Sequence, residues 1–160
     1  MFKAKNHCFI IILAMCFEGS YKNLSDSWRK ITGRSPDDGL YRCDKRDGFR
    51  KEGWYRFVEK SGSYLSTKPP AFIYSENKYK ESCGTNYIGW MNGKHPTITE
   101  GLVEREFCFQ TKTGECQWRV TSKVRTCPIK NQYTENTETF YVYYLKFPPE
   151  ISCNSAYCSL

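Results

Sequence analysis

Apolar and polar residues alternate with a period of two along much of the second half of the chain. Over 101–109, Val103, Arg105, Phe107 and Phe109 fall on one side, and Leu102, Glu104, Glu106 and Cys108 on the other. The first set carries most of the apolar surface, the pattern of a half-buried strand. Over 116–127 the alternation resumes, with Cys116, Trp118, Val120, Ser122 and Val124 on one face. Thr111-Lys112-Thr113-Gly114 separates the two runs as a turn, so they read as a hairpin with Cys108 and Cys116 flanking its turn. Aromatic and β-branched residues predict further strands over 53–58, 88–91 and 140–145. Asn92-Gly93 marks a turn. The stretch 66–82 contains Pro69-Pro70 and reads as a loop with a short strand over 71–74. Ser25-Asp26 is placed to cap a short helix over Trp28, Arg29 and Ile31, ended by Gly33 and the turn-forming 35–39. No long segment of helical period and no internal repeat is present. The fold class expected is mainly β: a small sheet with hairpins and at most one or two short helices.

Composition changes this picture in two ways. The chain has 160 residues, enough for one domain, with twelve Tyr, ten Phe and four Trp but few aliphatic residues. Cores of this kind are commonly cross-linked, and nine cysteines are present. The first segment, 1–16, has Lys3 and Lys5, an apolar run over 8–15, then small or polar residues, the order of a secretory signal peptide, with cleavage expected between 14 and 20. The apolar run is far shorter than the roughly 20 residues of a membrane-spanning helix, so no membrane span is expected. Secretion makes paired cysteines the default and makes the sheet a disulfide-stapled one. Cleavage after Cys16 would leave seven cysteines, one of them free or paired between chains. Cleavage after Ala14 would leave eight, all able to pair.

Candidate chemistry is sparse. The cysteine gaps are long and irregular, with neither C-x-x-C nor Cys-x-x-His, so no metal site is expected. The formal net charge is +7, but Lys45-Arg46 and Arg50-Lys51 are interrupted by Asp44, Asp47 and Glu52. That is a solvated surface rather than a nucleic-acid footprint. A secreted hydrolase would want two imidazoles as base and acid. His7 lies in the leader and only His95 remains, so His95 reads as a loop residue with a structural hydrogen bond, and a hydrolase centred on it is the runner-up. Glu100 and Glu104 form a carboxylate pair in sequence, more simply surface positions. Phe140, Tyr141, Tyr143 and Tyr144 offer a stacking platform for a ligand such as a sugar, with core and sheet surface the plainer expectation. Asn23 lies in the N-x-[ST] sequon Asn23-Leu24-Ser25 and is the expected glycosylation site.

Taken in order, GWYRFV, CGT, GWMNGKHPTITEGLVEREFC, CQW, a spaced Cys, and YVYYL followed by Pro-Pro and two cysteines resemble the cysteine-rich D8C domain of the uromodulin and pancreatic zymogen granule membrane glycoprotein family. The resemblance runs over residues 24–160. It implies a disulfide map: Cys43 with Cys153, Cys83 with Cys158, Cys108 with Cys116, and Cys127 with an upstream cysteine near the position of Cys16. Loss of Cys16 with the leader would orphan Cys127 and open the way to a covalent dimer through it. The resemblance also implies no catalysis and no cofactor, a secreted, extracellular location, and a protein or glycan as partner. In the family this module precedes a zona pellucida module and displays glycans to bacterial adhesins. Here WMNGK and YYLKF lack the sequons a relative carries, and no zona pellucida module is expected after Cys158. The expected function is a non-catalytic extracellular binding or structural module, the alternative being a fragment of a longer polymerising glycoprotein.

Overall fold

The computed structural model describes residues 14–32, 40–70, 73–75, 78–80, 82–129, 138–148 and 153–160. Most of the proposed leader lies outside these residues. The strands are β1 (Lys22–Leu24), β2 (Gly53–Phe57), β3 (Ile73–Ser75), β4 (Lys78–Lys80), β5 (Tyr87–Asn92), β6 (Leu102–Thr111), β7 (Gly114–Ile129), β8 (Glu138–Leu145) and β9 (Ser155–Tyr157). One short helix, α1 (Asp44–Asp47), and 3-10 turns at Ser27–Arg29, Glu59–Ser61 and Ser82–Gly84 complete the described elements. The protein is mainly β, as its alternation predicts. Seven strands form one sheet in the order β1-β2-β8-β7-β6-β5-β9, and β3 pairs with β4 apart from it. The pairs β1–β2 and β5–β9 are parallel and the rest of the large sheet is antiparallel.

The register explains where the core sits. Phe107 lies opposite Val120 and Met91, and Phe109 opposite Trp118 and Gly89. Val124 faces Tyr143, which in turn faces Tyr55. Period-two alternation therefore stacks these side chains on one face, where Phe57, Leu145 and Tyr157 join them and Phe49 and Leu65 pack over them. Fully burying an aromatic or large aliphatic side chain contributes about 1.5–3 kcal/mol, so this face dominates the stabilisation. The opposite face holds a smaller cluster of Cys127, Phe140 and Val142, covered by Met15, Cys16, Tyr21 and Trp54.

Several elements differ from the sequence reading. The helix expected over Trp28, Arg29 and Ile31 is a single 3-10 turn, and Asp26 caps it without a side-chain bond. The 66–82 stretch holds two short strands, β3 and β4, rather than one; residues 71 and 72 of the expected strand lie outside the described residues. Cys116 does not stay on the Trp118 face. The β6–β7 register shifts between Phe109 and Thr111, which brings Cys116 to Cys108 on the far side.

The tail is a strand. β9 lies beside β5, with Ile88 opposite Ala156 and Gly89 opposite Tyr157. Gly89 permits the approach: a Cβ there would lie 2.8 Å from the Phe109 ring and 2.9 Å from the Ala156 carbonyl oxygen. Disulfides Cys43–Cys153 and Cys83–Cys158 hold both ends of this segment, with Cα separations of 5.4 and 5.7 Å. Cys16–Cys127 joins the N-terminal segment to β7 across 111 residues. In the chain-entropy account a loop of that length is worth about 4–5 kcal/mol.

One ionic device supports the tail. Arg29 and Asp44 are both fully buried, with Nη1 2.6 Å from Oδ1. The Tyr157 N–H donates to Asp44 Oδ2 at 2.7 Å, and the Ser159 N–H to the Arg29 carbonyl at 2.8 Å. Burial pushes the Asp44 carboxyl up, against the pull of Arg29 and the Tyr157 N–H.

Candidate functional site

The candidate site arises where two neighbouring strands part. β2 pairs with β8 only through Gly53–Leu145, Trp54–Tyr144 and Tyr55–Tyr143. Beyond Tyr55, β2 continues along β1, with Arg56 opposite Asn23 and Phe57 opposite Leu24. Beyond Tyr143, β8 continues along β7, with Tyr141 opposite Thr126 and Thr139 opposite Pro128. The gap is a cleft of about 290 Å³ lined by Arg56, Phe57, Val58, Glu59, Gly62, Ser63, Tyr64, Ile129, Thr139, Phe140 and Tyr141.

Its walls are held firmly. The Glu59–Ser61 turn is closed by a bond from the Val58 N–H to Ser61 Oγ, and Ser61 Oγ also donates to the Leu24 carbonyl at 2.5 Å. Glu59 sits at φ 54°, a left-handed conformation costly for a residue with a Cβ. Ser63 and Tyr64 are fixed by the last residue: the Ser63 N–H donates to the Leu160 carbonyl and the Leu160 N–H to the Tyr64 carbonyl, both at 2.9 Å. Arg56 lies over the Phe140 ring at 3.9 Å, with Nη1 3.5 Å from the Tyr21 hydroxyl.

Behind the cleft, His95 stacks on Tyr141 with centroids 4.1 Å apart and planes 30° apart, and Tyr64 meets His95 edge-on at 5.5 Å. His95 Nε2 lies 2.7 Å from the Tyr143 hydroxyl, which accepts from the Leu65 N–H at 3.0 Å. Tyr143 is completely buried, and burial holds its hydroxyl well above the ordinary range, so it stays protonated. Its one proton can go to His95 Nε2, the arrangement that pairs both groups when the imidazole is neutral with its own proton on Nδ1. Burial, aided by the Arg105 charge, lowers the His95 pKa from 6.5 to about 4.

The residues singled out in the sequence are thus distributed. The Tyr platform is divided between faces. Tyr143 is core, Tyr144 packs edge-on against Trp54 at 5.6 Å, and Tyr141 with Phe140 lines the cleft. Glu100 accepts from the Thr97 N–H and hydroxyl, whose bonds lower its carboxyl pKa, while Glu104 lies opposite Lys123. The two carboxylates therefore serve separate surface roles and face no common centre. Asn23 is exposed on the edge strand β1. Glu106, Cys108 and Cys116 bring possible ligand atoms within 4.8 Å, but the two sulfurs are bonded to each other and offer no thiolates. Cys127 is bonded to Cys16, so a dimer through it requires a chain that has lost Cys16. Tyr64 and Glu59 were not found from the sequence. They lie in short turns without periodicity, and only their apposition to β8 reveals them.

These walls fall inside a recognisable module. The model of the uromodulin-like D8C domain matches residues 55–159. Mouse (Mus musculus) uromodulin is 32% identical over 143 residues, covering 88% of this chain and 18% of that protein. Rat (Rattus norvegicus) uromodulin is 34% identical over 140 residues, covering 87% and 17%. The pancreatic secretory granule membrane major glycoprotein of Canis lupus familiaris is 32% identical over 123 residues, covering 76% and 19%. The chain thus spans less than a fifth of the length of these relatives. The match runs from β2 through β9 and takes in the cleft, the hairpin and both tail cysteines, and the chain belongs to the uromodulin-like D8C domain family.

Proposed function

We propose that the chain is a secreted, extracellular, non-catalytic binding domain that uses the β2–β8 cleft for recognition. The observation that carries this is the intrachain pairing of the eight described cysteines, which ties both the N-terminal segment and the tail to one sheet and leaves the cleft open. Such a framework suits an oxidising compartment and a rigid site. The non-catalytic reading is supported by His95, whose Nε2 is occupied by the buried Tyr143 hydroxyl, whose low pKa keeps it neutral, and whose ring neighbours among the described residues are Tyr64, Tyr141 and Tyr143. On this reading Cys16 is kept in the mature chain, which needs leader cleavage no later than Met15, and Asn23 is the expected glycan attachment point.

The test is intact mass, thiol count and non-reducing peptide mapping of protein secreted from a eukaryotic host. A Cys16–Cys127 linked peptide with no free thiol supports the reading. A mature chain starting after Cys16, with a free or intermolecular Cys127, overturns it. The second reading, one module of a longer extracellular glycoprotein, is favoured by the small share of the relatives that the chain spans. A transcript continuing in frame past Leu160 would establish it.

A further inference from the structure

We infer that the β2–β8 cleft binds the neutral terminal sugar of a glycan. This rests on the proposed binding role of that cleft and adds the ligand class. A sugar ring has an apolar face of C–H groups and a rim of hydroxyls. It is best held by exposed aromatic surface edged with groups that both donate and accept hydrogen bonds.

The cleft supplies both. Tyr64 is 40% exposed, and Tyr141 is half-buried with His95 stacked on it. The side-chain oxygens of Glu59, Ser63, Tyr64, Thr139 and Tyr141 make no hydrogen bond or ion pair to the described residues, so they are free for a ligand. Four of the five are hydroxyls. Charge argues for a neutral ligand: Arg56 and Glu59 oppose one another in sign, and Arg56 is drawn onto the Phe140 ring 3.9 Å away, so the lining holds no net charge for an anionic terminus. Size argues the same way. At about 290 Å³ the cleft sits at the lower end of small-ligand pockets, suiting one sugar ring and part of the next. The walls are strand and closed turn, and Glu59 is already held at φ 54°, so ligand binding does not have to order them.

The experiment applies the secreted full chain to an array of neutral hexose and N-acetylhexosamine oligosaccharides, their sialylated and sulfated counterparts, and a displayed random-peptide library. Tyr64→Ala and Glu59→Gln serve as variants, both at exposed positions, with unchanged thermal midpoints as the control for folding. The inference expects retention on neutral glycans, weakened about tenfold by either variant, the loss of one good polar or stacking contact. Retention on anionic glycans alone, or neutral binding indifferent to both variants, overturns it. Retention of peptides but no glycan, lost in Tyr64→Ala, overturns the sugar while leaving the cleft as a recognition site. No retention on any probe overturns both.

Discussion

Acidification should weaken the fold through His95, and the size of the effect follows from one hydrogen bond. The Tyr143 hydroxyl accepts from the Leu65 N–H and lies 2.7 Å from His95 Nε2, to which it donates when the imidazole is neutral with its proton on Nδ1. Protonating Nε2 sets donor against donor beside a buried side chain. The imidazole pKa is lowered from 6.5 to about 4, so between those values the unfolded chain binds the proton and the folded one does not. Stability from this group is present above pH 6.5 and is lost as pH falls toward 4. Without screening, the loss between pH 7 and 4.5 would be about 2.4 kcal/mol, and because the ring is partly exposed about 1–2 kcal/mol is expected. The assay is urea unfolding of the oxidised protein at both pH values, comparing wild type with His95→Gln, whose amide oxygen can accept from Tyr143 without titrating. Other carboxylates cancel in the comparison. If the two proteins lose the same stability on acidification, the reasoning about the His95–Tyr143 bond is wrong.

Asp44→Ala removes the closer, fully buried carboxylate paired with the buried Arg29 guanidinium, leaving the partly exposed Asp26 3.3 Å from Nε, and should cost about 3–5 kcal/mol, read as a shift in urea midpoint. Gly48→Ala should be destabilising by about 1–3 kcal/mol in the same assay, because its Cβ would run into Arg29 Nη2 and lie 2.6 Å from Asp44 Oδ1. Gly89→Ala should loosen β9 from β5 and speed proteolytic trimming of the tail, since the Phe109 ring and the Ala156 carbonyl leave no room for a methyl group. Cys153→Ser with Cys43→Ser should lower stability by about 2–5 kcal/mol while leaving near-ultraviolet signals of the β6–β7 hairpin in place. Asn23→Gln should remove one glycan mass from the secreted protein, and no change in mass would refute Asn23 as the attachment site.

What could be read from the sequence is what depends on neighbours along the chain. Phe107 and Phe109 announce a core face because alternation sorts side chains before any partner exists. Tyr143 announces burial less clearly, since the same aromatic run places Tyr141 in a cleft and Tyr144 on the opposite face. The chain's two histidines, one of them in the proposed leader, already argued against acid–base pairs, and the pattern of aromatic, glycine and cysteine motifs pointed to the family. The three-residue strands β1 and β9 carry too few positions to show a period, and they exist because a longer strand offers them an edge. The four polar residues of α1 conceal Asp44, whose burial follows only from meeting Arg29 and Tyr157. Cys116 changes face through a register shift that no alternation foretells.

The cleft itself belongs to this second kind. The sequence by itself determined the longer strands, the supply of cysteines and the supply of tyrosines, because each follows from local composition and period. Only the tertiary structure decided that β2 and β8 part after Tyr55 and Tyr143, that Tyr64 and Glu59 come to face Tyr141 and Thr139 across the gap, and that His95 is held neutral behind them. The physical reason is that strand pairing, side-chain burial and proton affinity are set by groups distant along the chain, and these meet only when the sheet closes over its core.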